Sequence, residues 1–294
     1  MIEYAYELIM GCIMNFWVSI VSFLGTTGDV PLAWGAFHLI FLAIFIPTVV
    51  LICIRLKNVS EETFRRVFLA LWIILIIGEI YREFIMGAVV DGHSVEYSYQ
   101  WYLFPFQICS APLYALPLIV FLPDGKVRDA VCAYMMTFSF FGGIAVMILP
   151  TDVFCHIVGV NIQALVHHGS QVIIGLALAI KCRDRYNFKF FLGAIYSFVA
   201  VLAVAMTLNV AVHYALLFAG RNDTFNLFFI SPFHDCHLPI LSLVRDVTPY
   251  TVFLLVYMVG FSLVAAIMFY GQKLVIRLLQ TFPQKIKKQK SIMN

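Results

Sequence analysis

Apolar runs close to 20 residues long recur along the whole chain, and they constrain its fold more than any other feature. A transmembrane α-helix needs about 20 predominantly apolar residues to cross the hydrocarbon core of a bilayer. Charged residues occupy only 12% of the 294 positions and hydrophobic residues 62%, whereas a soluble domain carries about 25% charged residues. The pattern therefore excludes a soluble domain and predicts a polytopic membrane protein.

The predicted fold class is all-α, with seven transmembrane helices. Every backbone polar group within lipid must be bonded internally, and the runs show no strand-like alternation, so helices are the expected solution. The predicted spans are residues 33–54, 65–86, 101–122, 129–149, 161–180, 190–217 and 249–271.

A further apolar segment, residues 4–24, precedes the first span. It carries Glu3 and Glu7 and no basic residue ahead of the apolar run, which argues against a signal peptide. We interpret it as an interfacial or re-entrant helix, with an eighth span as the alternative. The chain then divides into an N-terminal interfacial helix and linker (1–32), a seven-helix membrane domain (33–272) and a basic cytoplasmic tail (273–294).

Basic residues lie almost entirely at one side of the predicted helices. Of the 19 Lys and Arg residues, 16 lie around the turns after spans one, three and five or in the C-terminal tail, and only Arg82, Arg221 and Arg245 lie on the other side. The positive-inside rule then predicts a cell-membrane protein with its N-terminus outside and its C-terminus in the cytoplasm. Anionic lipid headgroups are the expected partner of the tail, and nucleic acid is not an expected partner.

Polar and ionisable residues concentrate in the outer half of the predicted helices. Such residues are costly inside a membrane and usually line a cavity or a pathway. One group lies in the stretch FPFQICSAP (104–112), between prolines that interrupt regular helix. The residues of this predicted cluster are Glu79, Gln107, Cys109, Asp152, His167, His168, Asn209 and His213.

The remaining motifs predict neither a metal nor a cofactor. The loop sequence FHDCH (233–237) has histidines and a cysteine, but no second cluster at zinc-site spacing accompanies it. No Walker, Rossmann or GxSxG pattern is present. Cys155 and Cys236 share the predicted outer face, and whether they pair as a disulfide is left open.

An ordered set of short motifs resembles the YwaF family of integral membrane proteins, which includes a vertebrate ether-phospholipid acyltransferase. The motifs are FPFQICS, LPTD, HHG, LN…HY, NLFFISP and TPY, spread over residues 33–270. The resemblance implies a seven-helix protein that transfers acyl groups between lipids with a cysteine and a histidine. By position these are Cys109 and His168, and the implied partners are membrane phospholipids and lysophospholipids, with no cofactor.

The chemistry of a thiol in lipid agrees with this implication. A membrane cysteine needs a base to become a nucleophile, and His168 can take its proton. A third group, Asp152, Asn209 or Glu79, is expected to orient the imidazole. Gln107 is a candidate hydrogen-bond donor to the oxyanion, His167 is the reserve base, and His213 is a further candidate for support. The predicted function is a lipid acyltransferase or acyl hydrolase that forms an acyl thioester near the outer leaflet.

Two other classes of protein use a polar cluster in a helical bundle. A transporter or channel needs polar groups in the inner half as well, and spans three and five have few there. A small-molecule transporter and a seven-helix ligand-binding receptor both stay open as alternatives. The retinal-binding form of the receptor is excluded, because span seven contains no lysine for a Schiff base.

Overall fold

The computed structural model describes the backbone of residues 2–56 and 59–293 and the side chains of residues 10–56 and 59–278. Several residues used in the sequence predictions lie outside the described side chains: Glu3, Glu7, Lys57 and the basic residues of the tail beyond residue 278. The expected contact between the tail and anionic lipid therefore stays a prediction.

The described chain is mostly helical, as the sequence predicts. Its helices are α1 (Ile2–Leu24), α2 (Ala36–Leu56), α3 (Glu61–Gly87), α4 (Ala111–Phe121), α5 (Lys126–Tyr134), α6 (Phe140–Ile148), α7 (Val158–Lys181), α8 (Phe188–Phe218), α9 (Leu241–Val247) and α10 (Tyr250–Met293). A π-helical turn, Met135–Ser139, joins α5 to α6 without a break. A short antiparallel hairpin, β1 (Ala88–Asp91) and β2 (Ser94–Tyr97), departs from the all-α expectation.

Five helical segments in the described chain are long and apolar enough to cross a membrane: Ala36–Leu56, Lys126–Ile148, Val158–Lys181, Phe188–Phe218 and Tyr250–Leu278. They match predicted spans one, four, five, six and seven within a few residues at most ends, so the chain is a multi-pass helical membrane protein. The second predicted span lies within α3, which carries charged residues at both ends. The count of seven spans and the interfacial position of α1 stay predictions.

The third predicted span is not a continuous helix. Residues 101–103 and 108–110 form short 3-10 turns, and regular helix begins only at Ala111. Proline lacks a backbone N–H and disfavours helical geometry at the residue before it, so Pro105 interrupts the segment, while Pro112 fits the first turn of α4. The expectation of a helix from residue 101 was wrong, and Cys109 lies in the turn that leads into α4.

The basic connections meet at one end of the bundle. The carboxylate of Glu61, at the start of α3, accepts from Arg128 Nη2 at 2.5 Å and lies 3.3 Å from Lys181 Nζ. Arg185 Nη1 lies 2.5 Å from Asp129 Oδ1. These ion pairs bring together the start of α3, the α4–α5 turn and the α7–α8 turn, which the sequence placed on one side. Which side of the membrane they face stays a prediction.

The other end of the bundle is closed by contacts between the N-terminal segment and the helix ends. The Tyr81 hydroxyl donates to the carbonyl of Leu24 at 2.7 Å, and Thr27 forms an isolated β-bridge with Ile157. His38 Nε2 lies 3.1 Å from the carbonyl of Met147. This end, where α3 finishes and α7 begins, holds the polar residues predicted to form the site.

Candidate active site

A cavity of about 390 Å³ lies at the end of the bundle opposite the basic ion pairs. It brings together side chains from α3, the turn before α4, the α6–α7 connection, α7 and the loop before α9. Of the predicted cluster, the cavity wall includes Glu79, Gln107, Cys109, Asp152, His167 and His168, and it also includes Arg82, Cys155, Gln163 and Phe229. Asn209 and His213 are not among its lining residues.

The backbone carbonyl of Cys109 is held by two side chains of α7. His167 Nε2 lies 2.8 Å from this oxygen, and Gln171 Nε2 donates to it at 2.9 Å. Gln171 is fully buried and also bonds Ser139 Oγ at 3.2 Å, in the π-helical turn. Because residues four apart share a helix face, His167 and Gln171 together tie the irregular turn of Cys109 to α7.

The hydrogen bonds of the two histidines define their tautomers. A carbonyl oxygen only accepts, so His167 donates through Nε2 to Cys109, and His168 donates through Nδ1 to the carbonyl of Ala164 at 2.7 Å. In each neutral ring the other nitrogen carries the lone pair. Within the described residues, His167 Nδ1 and His168 Nε2 have no hydrogen-bond partner although both are buried. Two imidazoles on the cavity wall therefore each retain an unpaired basic nitrogen.

Close packing of α6 on α7 fixes the position of His168. A Cβ placed on Gly143 would come within 2.8 Å of both the His168 carbonyl and the Gln171 Cβ. Only glycine allows this approach without displacing α7. Gly143, in the FGG sequence near the start of α6, thus allows α6 to pack closely against the part of α7 that carries the histidines.

A charged network forms one wall of the cavity. Arg82 Nη2 lies 2.5 Å from Glu79 Oε1, 2.9 Å from Glu83 Oε1 and 2.8 Å from the carbonyl of Leu103. Gln163 Nε2 approaches the second oxygen of Glu79 at 3.5 Å. Glu79 was one of three candidates, with Asp152 and Asn209, to orient the imidazole of His168. In the structure the Glu79 carboxylate is bonded to Arg82 and Gln163, and the N–H of His168 is bonded to the carbonyl of Ala164.

Two carboxamides, Gln107 and Asn209, hold the loop that carries Phe229 into the cavity. Gln107 Oε1 accepts from the N–H of Phe228 at 2.5 Å, and its Nε2 donates to the carbonyl of Asn226 at 3.0 Å. Asn209, which is fully buried, bonds both the N–H and the carbonyl of Leu227 at 2.7 and 3.0 Å. Gln107 thus bonds the loop through both amide atoms, and the candidate role of its second N–H as an oxyanion donor stays a prediction.

This loop has a backbone conformation that is rare outside glycine. Phe228 and Phe229 have φ angles of 57° and 55°, a left-handed geometry that costs about 1–2 kcal/mol for each ordinary residue. Consecutive residues hold such angles only when their surroundings fix them. The bonds from Gln107 and Asn209 supply that constraint, so the two residues position a cavity wall.

Two further predicted residues differ in their placement. Asp152 is exposed on a 3-10 turn and lines the cavity. His213 lies on α8 and stacks on Phe233, with ring centroids 3.7 Å apart. It lies with the loop after α8, away from the cavity lining.

All seven cysteines are free, so Cys155 and Cys236 do not pair in this structure. Within the described residues, no group of three or more His, Cys, Asp or Glu side chains could hold a metal ion.

Sequence reasoning missed Gln171 and the role of Arg82. Gln171 follows His167 by one helical turn in VHHGSQ, and a glutamine in an apolar run was the available signal. The bond from Arg82 to the carbonyl of Leu103 could not be predicted, because a sequence does not show that residue 103 folds back over α3.

The fold and the cavity define a multi-pass helical membrane protein whose polar site holds a cysteine and two histidines at one end of the bundle. Comparison with protein families identifies the group: the TMEM164 family matches residues 33–271, so the chain belongs to the TMEM164 family. No curated protein and no solved structure gives a significant match. The narrower resemblance to the YwaF family stays a prediction.

Proposed function

We propose that this protein is a lipid acyltransferase or acyl hydrolase of the membrane, with Cys109 as nucleophile and His168 as base. One observation carries the proposal: Cys109 and a buried imidazole with an unpaired nitrogen line the same cavity. Membership of the TMEM164 family, a family of ether-lipid acyltransferases, supports acyl transfer between lipids. The proposed substrates are membrane phospholipids as acyl donors and lysophospholipids or water as acceptors.

The first half-reaction transfers an acyl group from the phospholipid to Cys109. His168 Nε2 takes the proton of the Cys109 thiol, and the sulfur attacks the ester carbonyl of a phospholipid. The carbon–oxygen bond of the ester breaks as the carbon–sulfur bond forms, and the leaving alkoxide takes the proton from the imidazolium. The products are an acyl thioester on Cys109 and a lysolipid.

The second half-reaction transfers the acyl group from Cys109 to the acceptor. His168 Nε2 takes a proton from the hydroxyl of the acceptor, whose oxygen attacks the thioester carbonyl. The carbon–sulfur bond breaks, and the imidazolium returns the proton to the departing thiolate. A lysolipid acceptor gives acyl transfer, and water gives hydrolysis. The N–H of His168 stays bonded to Ala164 throughout, which keeps Nε2 as the reacting nitrogen.

Arg82 is the proposed source of positive charge. All of its described hydrogen bonds use Nη2, which leaves other guanidinium donors for the cavity it lines. A guanidinium near the reacting sulfur stabilises a thiolate and the negative charge that develops on the carbonyl oxygen. We assign this role to Arg82 rather than to Gln107, because Arg82 carries a positive charge whereas Gln107 is neutral and is bonded to the loop through both amide atoms.

The proposed location is the outer leaflet of the cell membrane, with the C-terminal tail in the cytoplasm near anionic headgroups. Two observations support it: the cavity lies at the end opposite the basic ion pairs, and basic ends of membrane proteins tend to face the cytoplasm.

Quantitative lipidomics tests the proposed activity. Cells that produce the unaltered chain are compared with cells that produce Cys109→Ala at the same membrane level. We expect phospholipid acyl composition to change with the unaltered chain and to remain at background with the variant. An unchanged lipid profile with both chains contradicts acyl transfer and hydrolysis alike.

A further inference from the structure

The loop after α8 packs against a pair of histidines that the proposed mechanism does not use. His213, on α8, stacks on the ring of Phe233, with centroids 3.7 Å apart and an angle of 7° between the rings. The ring of His234, on the loop, makes a T-shaped contact with His213, with centroids 6.2 Å apart and an angle of 80°. Two imidazoles therefore meet in the same loop whose residues 226–229 form a wall of the cavity.

One ring nitrogen of His234 is buried in a place that does not suit a charged ring. His234 Nε2 has no hydrogen-bond partner within the described residues. A neutral imidazole can carry its proton on the other nitrogen, whereas the charged imidazolium carries a proton on both. Protonation therefore puts a charged N–H donor on a buried atom without an acceptor, which is unfavourable.

The groups around His234 have opposite effects on its protonation. Burial, the largest cause, and the neighbouring His213 on α8 lower the pKa of His234, while the carboxylate of Asp235 on the loop raises it. The net effect holds the pKa of His234 below its ordinary value of 6.5. The folded loop therefore favours the neutral ring.

Asn226 connects this histidine to the cavity wall. Its Nδ2 donates to the carbonyl of Asp235, the residue after His234, at 2.9 Å. Its Oδ1 accepts from the N–H of Ser231, also at 2.9 Å, which closes the turn between them. The backbone carbonyl of Asn226 in turn accepts from Gln107 Nε2 at 3.0 Å. A movement of the chain at His234 therefore disturbs the bonds that hold the left-handed segment of the wall.

We propose that His234, with His213 beside it, makes the loop after α8 sensitive to acid. Protonation of His234 from the surrounding solution releases the turn that Asn226 closes and so opens the cavity wall. This inference concerns access to the cavity, and it does not depend on which reaction takes place there.

The direction of the pH dependence follows from the lowered pKa of His234 in the closed loop. A histidine in the open loop titrates near its ordinary value of about 6.5, so the open loop binds more protons in acid than the closed loop does. The closed loop therefore has its full stability above about pH 6.5 and loses it as pH falls through the folded-state pKa.

Hydrogen exchange, measured by mass spectrometry on the full chain in detergent at pH 7.5 and pH 5.5, tests the inference. The reporters are the N–H groups of Leu227, Phe228 and Ser231, each bonded to a side-chain amide. After correction for intrinsic exchange rates, we expect opening of residues 226–235 to increase at least about threefold in acid, with about tenfold as the limit for one linked proton. A smaller increase, or an equal one in α5, which contains no histidine, overturns the proposal.

Glutamine variants assign the effect to particular histidines. His234→Gln is polar and does not titrate, so we expect protection close to the parent's at pH 7.5 and no increase in acid. His93→Gln is the matched control, because His93 is exposed at the turn between β1 and β2, and it should keep the full increase. An acid-induced increase that persists in His234→Gln, or disappears in His93→Gln, overturns the assignment to His234.

His213→Gln tests the pair while it retains the titrating ring. Without the second imidazole, protonation of His234 in the closed loop is less unfavourable, so we expect a smaller increase in opening than in the parent. An increase equal to or larger than the parent's overturns the contribution of His213.

Discussion

The Nε2 atom of His167 lies 2.8 Å from the backbone carbonyl of Cys109, and this contact joins the irregular turn before α4 to the helix that carries both histidines. Gln171 Nε2 reaches the same oxygen at 2.9 Å. In the proposed mechanism this bond makes His167 a residue that positions Cys109, while His168, bonded to the carbonyl of Ala164 one turn before it, has a basic nitrogen without a described partner. Adjacent histidines thus have different roles in the proposed mechanism.

Glutamine substitutions separate these two roles. His167→Gln keeps a side-chain N–H donor, so we expect it to retain a measurable rate, within about tenfold to a hundredfold of the unaltered chain. His168→Gln has no basic nitrogen, and general-base loss costs about 100-fold to 10,000-fold. Single-turnover acyl transfer measures both rates. If His167→Gln loses more rate than His168→Gln, the result contradicts this assignment and makes His167 the base.

Gln171 is expected to position Cys109. Gln171→Leu leaves the carbonyl of Cys109 with one donor fewer and frees the turn, so we expect the rate of thioester formation to fall about tenfold to a hundredfold, with a stability loss of about 1–3 kcal/mol. Gln272→Leu is the comparison variant, because Gln272 is a buried amide that bonds Tyr186 and the carbonyl of Met136 and does not line the cavity. It should lose stability and keep its rate per folded molecule. Equal losses of rate in the two variants contradict the assignment.

Asn209 is expected to hold the cavity wall. Asn209→Ala removes both bonds to Leu227 and releases the left-handed geometry at Phe228 and Phe229. We expect a loss of about 2–4 kcal/mol and faster protease cleavage between residues 219 and 248. Thr207→Ala is the control, since the Thr207 hydroxyl bonds only its own helix. Cleavage of Asn209→Ala at the parent rate contradicts this role.

The basic end of the bundle predicts a pH dependence. Burial alone would raise the pKa of Glu61, but the hydrogen bond and charge of Arg128, with bonds from Arg65 and Lys181, outweigh burial and lower it. A lowered folded-state pKa gives stability that is present above the ordinary glutamate value of about 4.3 and is lost as pH falls through the folded-state pKa.

Glu61→Gln should therefore lower Tm at pH 7 by up to about 4 °C, and the difference should vanish in acid. Glu62→Gln is the control, because Glu62 and its partner Arg66 are both highly exposed and such pairs contribute little. The measurement is thermal unfolding in detergent between pH 3 and pH 7. A Glu61→Gln difference that persists unchanged in acid contradicts the linkage.

The sequence was sufficient for the helical membrane architecture, because apolar runs and helix length are tied directly to bilayer thickness. Residues such as Cys109, Asp152 and His168 could be predicted to line one cavity by a similar argument, since polar side chains are costly in hydrocarbon and cluster together within a membrane. The roles of Gln107 and Asn209 could not be predicted. Their partners are backbone atoms of residues 226–228, and a loop that folds back between helices has no periodic signal.

The irregular turn before α4 shows a second limit. Prolines at 105 and 112 signalled a disturbance, but whether a helix kinks or unwinds depends on whether the freed backbone groups find other partners. Here the carbonyl of Cys109 accepts hydrogen bonds from His167 and Gln171. Those partners belong to a different helix, so only the tertiary structure decides the outcome.

Detection of an acyl thioester on Cys109 is the most direct test of the proposed chemistry. The purified chain is incubated with a phospholipid that carries an alkyne-tagged acyl chain, quenched in acid and mapped by mass spectrometry. The matched control is Cys155→Ala, because Cys155 is the other thiol that lines the cavity. We expect a hydroxylamine-sensitive acyl adduct on the Cys109 peptide, retained in Cys155→Ala and absent from Cys109→Ala and His168→Gln. An adduct on another cysteine, or full acyl transfer by Cys109→Ala, contradicts the account.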